Sequence, residues 1–491
     1  MSERNGLRYG LLGLALLVLL ALLAMVINRP DSRQTEVPVG DSIESLAALG
    51  DQPPSRRDLN IQTWQTAEGA KVLFVEAREL PMFDLQLTFA AGSSHDDGSA
   101  GLALLTNAML NEGVPGKDVG AIATGFENLG ANFGNGAFRD MAIASLRSLS
   151  AAEQREPAMQ LFNQVIGQPT FPDDALARIK NQLLAGFEFQ KQNPGKLASL
   201  ALFERLYGTH PYAHPSDGNA ESIPAISREQ LQAFHAKAYT ANNAIIALVG
   251  DLSRSDAEAL ASAVSAALPQ GPALPRIAQP QEPKAGLQHI EFPSNQTHLM
   301  IAQLGIDRRD PDYAALYLGN QVFGGGGFGT RLMTEVREKR GLTYGVYSGF
   351  SAMQARGPFM INLQTRAELS DGTLQLVKSM LADFIANGPT EQELNNAKRE
   401  LAGSFPLSTA SNAAIVGQLG SMGFYDLPLS YLEDFMRDVQ ALTVEQVKTA
   451  VAKRLDVNAL VIVTAGPTVT QKELPPPTDN PIEQPSAVPE H

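Results

Sequence analysis

An internal duplication restricts the fold of this chain more than any other feature of its sequence. The segment LARIKNQLLA (176–185) corresponds to LNNAKRELAG (394–403), and the strand-like AIIALVG (244–250) corresponds to LVIVTAG (460–466). The offset between such pairs stays at 216 to 218 residues. A repeat of this kind predicts two homologous halves that follow one another along the chain.

Within each half, strand-like and helix-like segments alternate. Short runs rich in Val, Ile, Leu and Phe predict strands, and longer amphipathic stretches predict helices. In the first half the predicted strands are 71–76, 84–89, 141–147 and 244–250, and the predicted helices are 99–110, 150–166 and 173–190. The pattern predicts an α+β fold in which each half is a largely antiparallel sheet with a helical layer on one side.

Proline-rich and polar segments divide the chain further. The division predicts a signal anchor (1–30), a linker (31–60), a first domain (61–268), an interdomain linker (269–287), a second domain (288–470) and a disordered tail (471–491). The interdomain linker and the tail are both rich in proline, and the tail has few apolar residues to bury.

The N-terminal segment has the length of a membrane-spanning helix. Residues 9–27 are uncharged and rich in leucine, and Arg4 and Arg8 precede them. At about 1.5 Å per residue, such a helix just crosses a hydrocarbon layer of about 30 Å. No small-x-small cleavage pattern follows, so we predict an uncleaved anchor, with a cleaved signal peptide as the alternative. Arginine flanks both ends of the run, so charge alone does not set its orientation.

Composition excludes several classes of function. The formal net charge of −14 and the lack of any Lys/Arg-rich run argue against nucleic-acid binding. The absence of cysteine excludes disulfides, thiolate metal sites and a cysteine nucleophile. No Gly-x-Ser-x-Gly motif surrounds any serine, so an independent hydrolase site is not supported.

The segment GLALLTNAML (101–110) resembles the metal helix of the pitrilysin/insulinase metallopeptidases, which reads Gly-Leu-Ala-His-x-x-Glu-His-Met-Leu. Leu104 and Ala108 stand in place of the two histidines, and Asn107 stands in place of the glutamate. Leucine and alanine have no lone pair for Zn²⁺, and an amide cannot act as the general base. The family's third ligand would fall near 184–186, where no acidic residue lies. We therefore predict that this chain binds no zinc by itself.

A second stretch is similar to the signature of the family's second half. GGGGFGTRL (324–332) leads into EVREKRGLTY (335–344). The resemblance implies that Arg337 and Tyr344 reach the zinc-bearing half and hold the scissile peptide. From residue types alone, Arg337 would be a solvated helix charge and Tyr344 a strand aromatic.

The glycines at the start of this stretch, Gly324, Gly325, Gly326 and Gly327, form a loop that could also cradle phosphates. No Lys-Ser/Thr pair follows the loop, so a tight turn or a close chain approach is the favoured interpretation. His210 and His214 are the only histidines four residues apart, but Pro211 separates them. We interpret this pair as part of a packed loop rather than a metal site.

Together these matches cover about residues 61–470 and are most similar to the branch of mitochondrial-processing-peptidase-like proteins. The resemblance implies a heterodimer in which this chain, the non-zinc subunit, supplies Arg337 and Tyr344 to a zinc-bearing paralogue that cleaves peptides or unfolded segments. It also implies zinc in the partner, no cofactor on this chain, and a substrate added as a strand at a sheet edge. Resemblance to bacterial members places an anchor in the inner membrane and the body in the periplasm. The alternative is an inactive peptide-binding or scaffold protein, and activity of this chain alone is not supported.

Overall fold

A computed structural model describes residues 59–478, which belong to one compact unit of the chain. The predicted anchor within 1–30 and nearly all of the predicted linker 31–60 lie outside the described residues. Between residues 59 and 478, no helix is long and apolar enough to cross a membrane.

The first half is built on a six-stranded sheet. Its strands are β1 (Gln62–Gln65), β2 (Lys71–Glu76), β3 (Met82–Phe89), β6 (Asn132–Ala137), β7 (Ala142–Leu149) and β8 (Ala244–Gly250), and β4 (Gly113–Val114) and β5 (Lys117–Asp118) form a separate small ribbon. The order across the sheet is β1-β2-β8-β3-β7-β6. Neighbouring strands are antiparallel except β2 and β8, which are parallel, so the predicted antiparallel character is confirmed.

Eight α-helices accompany this sheet in the described first half. They are α1 (Leu102–Ala108), α2 (Val119–Glu127), α3 (Ala152–Gly167), α4 (Asp173–Gln190), α5 (Pro194–Tyr207), α6 (Ser222–Ala225), α7 (Arg228–Ala238) and α8 (Arg254–Ala267). Local sequence explains several starts, because Ser227 and Gln230 form a capping box on α7, and Ser253 and Asp256 form one on α8. Helix α1 is shorter than the predicted 99–110.

The second half repeats the plan. Its strands are β9 (Gly286–Glu291), β10 (Gln296–Leu304), β11 (Val346–Phe350), β12 (Pro358–Arg366) and β13 (Val461–Gly466), and its helices are α9 (Tyr313–Asn320), α10 (Ser370–Asn387), α11 (Glu391–Ser404), α12 (Asn412–Phe424), α13 (Tyr431–Ala441) and α14 (Val444–Arg454). The strand order β9-β13-β10-β12-β11 matches the order β2-β8-β3-β7-β6 of the first half, including one parallel pair. The two-halves architecture inferred from the duplication is confirmed.

Paired lysines show how closely the halves correspond. Lys180 on α4 donates to the carbonyls of Pro224 and Ile226, just before α7. Lys398 on α11, at the matching position of the repeat, donates to the carbonyls of Gln440 and Leu442 at 2.9 and 2.6 Å, just before α14. Equivalent lysines therefore join equivalent pairs of helices in the two halves.

The helices of each half form the predicted layer on one face of its sheet, and a helix of the other half covers the opposite face. The outer face of the first sheet packs against α12 of the second half, where Ile415, Val416 and Leu419 meet Leu73 and Val249. In the second sheet, the face made by Ala302, Val461 and Val463 packs against α5 of the first half, through Ala198 and Leu202. The halves thus exchange equivalent helices, and this is why β8 and β13 are apolar along nearly their whole length.

A buried carboxylate also joins the two halves. Asp140, which is 4% exposed, accepts hydrogen bonds from the hydroxyl of Tyr212 in its own half. From the second half it accepts the backbone N–H of Gln354 at 2.7 Å and the hydroxyl of Tyr425 at 3.3 Å. Tyr212 in turn accepts from the N–H of Ala355 at 3.1 Å. Burial raises the pKa of Asp140, and these donors act against that rise.

The chain after β13 differs from the predicted tail. Residues 471–478 lie against the second half, and Leu474 packs on its core. Composition suggested disorder because few apolar residues are present, but backbone and polar side-chain contacts hold this segment. Residues 479–491 of the predicted tail lie outside the described residues.

Candidate functional site

Asp96 fixes the start of α1, the helix that resembles the family's metal helix. Its carboxylate accepts the backbone N–H groups of Gly101 at 2.8 Å and Ala103 at 2.7 Å. These are among the N–H groups that have no partner inside a helix. The side chain is buried, and burial raises the pKa of Asp96 to about 7 although the two backbone hydrogen bonds oppose the rise.

Asn107 occupies the position of the family's catalytic glutamate and is 2% exposed. Its side-chain nitrogen donates to the carbonyl of Ile143 on β7 at 3.1 Å and to the hydroxyl of Tyr239 at 3.2 Å. Tyr239 is itself fully buried, and burial raises the pKa of its hydroxyl. A carboxylate in this orientation would place two acceptors against each other at Ile143. The surroundings of Asn107 are therefore those of an amide donor, not of a general base.

The two former ligand positions are taken up by packing. Leu104 and Ala108 are half-buried, and Ala108 packs against the core of the first half. Leu184, in the region of the family's third ligand, packs against the same core. Within residues 59–478 no group of three or more His, Cys, Asp or Glu side chains is placed to hold a metal ion. At the positions of the family's metal ligands, α1 therefore carries packed side chains.

The two histidines of the 210–214 loop are also engaged. The Nε2 atom of His210 lies 2.8 Å from the carbonyl of Ala278, and its Nδ1 accepts the N–H of Tyr212 at 3.1 Å. The Nδ1 atom of His214 lies 3.2 Å from the carbonyl of Pro215. Both ring nitrogens of His210 are therefore engaged, one within the loop by Tyr212 and one by Ala278 of the segment between the halves.

The glycine loop of the second half begins in a wide helical turn. Residues Gln321–Gly325 continue α9 with π-helical geometry, a feature that is frequent at functional sites. Gly324 is buried against β11, where an added Cβ would lie 2.5 Å from the hydroxyl oxygen of Ser348. Ser348 also donates to Asn320 at 2.7 Å, so the loop is fixed to the edge of the second sheet. The glycines thus allow a close chain approach.

Arg337 lies on a second π-helical segment, Met333–Glu338. Its guanidinium carbon is 4.7 Å from the centre of the Phe328 ring, which is 60% exposed on the glycine loop. Within residues 59–478 the side chain of Arg337 has no hydrogen bond or ion pair, and its carbonyl accepts the N–H of Gly341. An exposed contact of this type contributes about 0.5–1 kcal/mol, so a carbonyl or carboxylate can draw the guanidinium away.

Tyr344 lies in the irregular segment before β11, and its side chain is 84% exposed. Its hydroxyl forms no hydrogen bond with the described part of the chain. The structure therefore brings Arg337 against the glycine loop through Phe328, and leaves Tyr344 in solvent, close to that segment along the chain. It is not the strand aromatic considered from residue types.

Arg331, between the glycine loop and Arg337, has the opposite environment. It forms a paired contact with Glu393 at 2.7 and 2.8 Å, and it donates to the carbonyl of Gly388 at 3.0 Å. Burial would raise the pKa of Glu393, but hydrogen bonds from Arg331 and Thr390 lower it to about 2. Arg331 anchors the loop to α11, and the sequence offered no signal that separates its role from that of Arg337.

A cleft that the sequence did not predict lies beside the glycine loop. Its volume is about 230 Å³, and it lies between α9 and β11. The lining residues are Ile306, Tyr313, Tyr317, Asn320, Gln321, Gly325, Ser348, Gly349 and Phe350. The only sequence hint is the spacing of Tyr313 and Tyr317, which places both on one face of α9.

Comparison with known protein families yields two matches. Residues 71–217 match the insulinase domain, peptidase family M16, and residues 225–401 match the peptidase M16 inactive domain. The first match contains α1, and the second contains the glycine loop together with Arg337 and Tyr344. Both segments on which the resemblance rested therefore lie within matched domains.

Relatives of similar length carry different descriptions. The non-peptidase homolog YmxG of Helicobacter pylori is 29% identical over 408 residues, which are 81% of this chain and 92% of that protein. The uncharacterized zinc protease YmxG of Bacillus subtilis is 22% identical over 397 residues, which are 79% of this chain and 94% of that protein.

Solved structures agree with the fold. The crystal structure of a peptidase M16 inactive domain from Pseudomonas fluorescens is 75% identical in sequence and has a TM-score of 0.83, covering 85% of this chain and 100% of that chain. A protease from Helicobacter pylori, at 15% identity, has a TM-score of 0.77 over 83% of this chain and 100% of that chain, and shows the fold alone.

Proposed function

This chain belongs to the insulinase family, peptidase family M16, and from that premise we propose that it is the non-zinc subunit of a heterodimeric zinc metallopeptidase. A zinc-bearing paralogue would contribute the metal and the general base. This chain would contribute Arg337 and Tyr344, which bind the substrate and the developing oxyanion. The products would be fragments of peptides or unfolded segments.

The observation that carries this proposal is the contrast between the two motifs. In the first half, Asn107 is buried and both of its hydrogen-bond partners are internal. In the second half, the side chain of Arg337 lies against the Phe328 ring and has no polar partner among residues 59–478, and Tyr344 is 84% exposed. Side chains without internal polar partners can bind an external ligand with no internal hydrogen bond to break.

The chemistry of Arg337 and Tyr344 fits peptide hydrolysis. Negative charge develops on the carbonyl oxygen as water attacks a peptide, and a tyrosine hydroxyl can donate to that oxygen. A guanidinium presents forked N–H donors, which orient a substrate carbonyl or carboxylate. A peptide added as a strand at a sheet edge would present its carbonyls in a regular row. Neither role requires a metal ligand on this chain.

The proposal is tested by peptidase assays on an unstructured peptide with three samples: this chain, the zinc-bearing paralogue, and their mixture. We expect activity only in the mixture. Tyr344→Phe should lower the activity of the mixture about 10²-fold or more, as for loss of an oxyanion donor, and Arg337→Ala should lower it through weaker binding of the substrate. Equal activity of the paralogue alone and the mixture would refute the split site.

Two matched variants serve as controls. Arg309→Ala removes an exposed arginine of the same half whose side chain has no polar partner among residues 59–478. Tyr347→Phe removes the hydroxyl of a tyrosine that is 50% exposed only three residues from Tyr344. Both controls should retain activity within about twofold, since surface substitutions away from a site have small effects.

The second candidate is a catalytically inactive peptide-binding or scaffold protein. It is favoured by the relative from Helicobacter pylori, which is described as a non-peptidase homolog and which this chain matches over 92% of that protein's length. Under this alternative, the chain binds an unstructured peptide in a fluorescence-anisotropy titration, and no paralogue gains activity from it. Arg337→Ala would then weaken peptide binding without changing any rate of cleavage.

We also propose that residues 9–27 anchor the protein in the inner membrane and that the remaining chain lies in the periplasm. The uncharged run of 19 residues motivates this placement. Alkaline extraction of membranes should leave the full-length protein in the pellet, and protease added to spheroplasts should degrade residues 59–478. Release of the intact chain into the soluble fraction would contradict the anchor.

A further inference from the structure

The C-terminal strap, defined as residues 471–478, connects two parts of the second half that are distant in sequence. It follows β13 and forms neither helix nor strand. One end lies at the start of α10, and the other end lies at the π-helical segment that carries Arg337. Its path is fixed by three groups of contacts.

The first group holds the strap at the start of α10. The side-chain nitrogen of Gln471 donates to the carbonyl of Ala367 at 3.0 Å, and its oxygen accepts the N–H of Asp371 at 3.1 Å. The N–H of Lys472 donates to the carbonyl of Glu368 at 2.7 Å. Gln471 thus caps α10 as an N-terminal side chain would.

The second group is apolar. Leu474 is half-buried against the core of the second half and lies over Gly372 of α10. A Cβ added to Gly372 would lie 2.8 Å from the Cγ atom of Leu474, so only glycine allows the strap to approach this closely. Leu474 is therefore the apolar centre of the strap.

The third group reaches the Arg337 segment. Arg340 donates to the carbonyl of Pro475 at 2.9 Å, and the N–H and hydroxyl of Thr478 both donate to the carbonyl of Lys339, at 2.9 and 3.0 Å. Lys339 directly follows Met333–Glu338, and its N–H closes the wide turn on Thr334 at 2.9 Å. Carbonyls at the C-terminal end of a helix lack partners within the helix. The strap supplies donors to one of them, the carbonyl of Lys339.

These contacts end two residues from Arg337, whose side chain lies against the Phe328 ring and has no polar partner in the described range 59–478. A π-helical turn is a rare conformation, and here the strap supplies the contacts to the carbonyl at its C-terminal end. We infer that the C-terminal strap positions Arg337 for substrate binding by capping its turn, with Leu474 and Thr478 as positioning residues. This inference rests on the proposed function, because it assigns Arg337 to the substrate.

Hydrogen exchange on the full-length protein tests the structural part. Leu474→Ala and Thr478→Val should each raise the exchange rate of amides 333–342 about fivefold, the effect of losing one hydrogen bond or its equivalent. Exchange in β2 and β8 should not change. Lys472→Ala is the matched control, because it keeps the backbone N–H that bonds Glu368 and removes only a side chain that is 70% exposed and forms a long, 3.9 Å ion pair with Glu368. Unchanged exchange at 333–342, or an equal rise throughout the chain, overturns the inference.

Kinetics of the mixture with the zinc-bearing paralogue test the functional part. Both strap variants should raise KM about fivefold and leave kcat within about twofold, since a loosened Arg337 weakens ground-state and transition-state binding alike. In an Arg337→Ala background the same substitutions should have no further effect, because the strap acts through that residue. Additive effects overturn the inference.

Failure of the proposed function and failure of the inference about the strap give different results. If Arg337→Ala leaves the activity of the mixture unchanged, the proposed function fails, and the role of the strap in binding fails with it. If Arg337→Ala is damaging but both strap variants behave as Lys472→Ala does, only the inference about the strap is wrong.

Discussion

Two glycines on α12 should respond to alanine substitution with opposite signs. Gly423 faces the first sheet, and an added Cβ would lie 2.4 Å from the Cγ2 atom of Ile245 and 2.9 Å from the Cδ1 atom of Leu73. Gly417, on the same helix, has no atom within 4 Å of such a Cβ. Ordinary contacts begin near 3.4 Å, so Gly423→Ala requires the helix or Ile245 to move by about 1 Å.

The magnitudes follow from these distances. Overpacking of a well-packed interface costs about 1–3 kcal/mol, and alanine in place of a helical glycine gains about 1 kcal/mol. Gly423→Ala should therefore lower the free energy of unfolding by up to about 2 kcal/mol, whereas Gly417→Ala should raise it by about 0.5–1 kcal/mol. Gly417→Ala is the matched control, because the helix and the substitution are the same.

Urea unfolding monitored by circular dichroism measures both changes. The midpoint of Gly423→Ala should fall and that of Gly417→Ala should rise, with equal slopes if only the folded state is affected. If both variants become more stable, α12 does not press on the first sheet at Gly423, and the exchange of helices between the halves is not as described.

Three further perturbations test other parts of the structure. Asp140→Ala removes the buried acceptor of the Tyr212 hydroxyl, the Tyr425 hydroxyl and the Gln354 N–H. In urea unfolding, it should lower the free energy of unfolding by about 2–4 kcal/mol. Glu258→Gln, at an exposed position, should change that free energy by less than about 0.5 kcal/mol. The pKa of Asp96 is about 7 in the folded state against 3.8 for an ordinary aspartate, so the folded state holds a proton that the unfolded state has lost between these values. Stability should therefore fall as pH rises from about 4 to 7, and Asp96→Asn should remove that part of the slope; an unchanged slope contradicts the assignment. Asn107→Leu leaves the carbonyl of Ile143 and the hydroxyl of Tyr239 short of a donor and should cost about 1–3 kcal/mol in thermal or urea unfolding, whereas exposed Asn395→Leu should cost almost nothing.

The sequence predicted the strands well because the decisive signal is local. β8 and β13 are short apolar runs that end in glycine, and both lie where the duplication placed them. Helix α1 was predicted too long, since its start depends on the carboxylate of Asp96, whose role as a cap five residues before Gly101 is not visible in a periodic pattern. The exchange of α5 and α12 between the halves could not be predicted, because an amphipathic stripe does not reveal which sheet it covers.

The same limit applies to the candidate site. The sequence of residues 101–110 shows that two histidines and a glutamate are replaced. The hydrogen bonds of Asn107 to Ile143 and Tyr239 could not be predicted, because these partners are far away in sequence. The contact of Arg337 with Phe328 spans only nine residues, yet its geometry depends on two π-helical turns that no propensity scale predicts. The strap was assigned to a disordered tail since polar contacts, not apolar burial, hold most of it.

The motif residues of the two halves have different environments. In the first half, the side-chain amide of Asn107 on α1 donates to acceptors inside the protein. These hydrogen bonds contribute to stability, because a buried donor without an acceptor is costly. In the second half, the guanidinium of Arg337 and the hydroxyl of Tyr344 contribute little to the fold, since both are at least partly exposed and lack polar partners within residues 59–478. Replacing them should therefore barely change stability, whereas replacing Asn107 should. A loss of activity in Arg337→Ala at unchanged stability would favour a binding role for this half-buried side chain over a structural one.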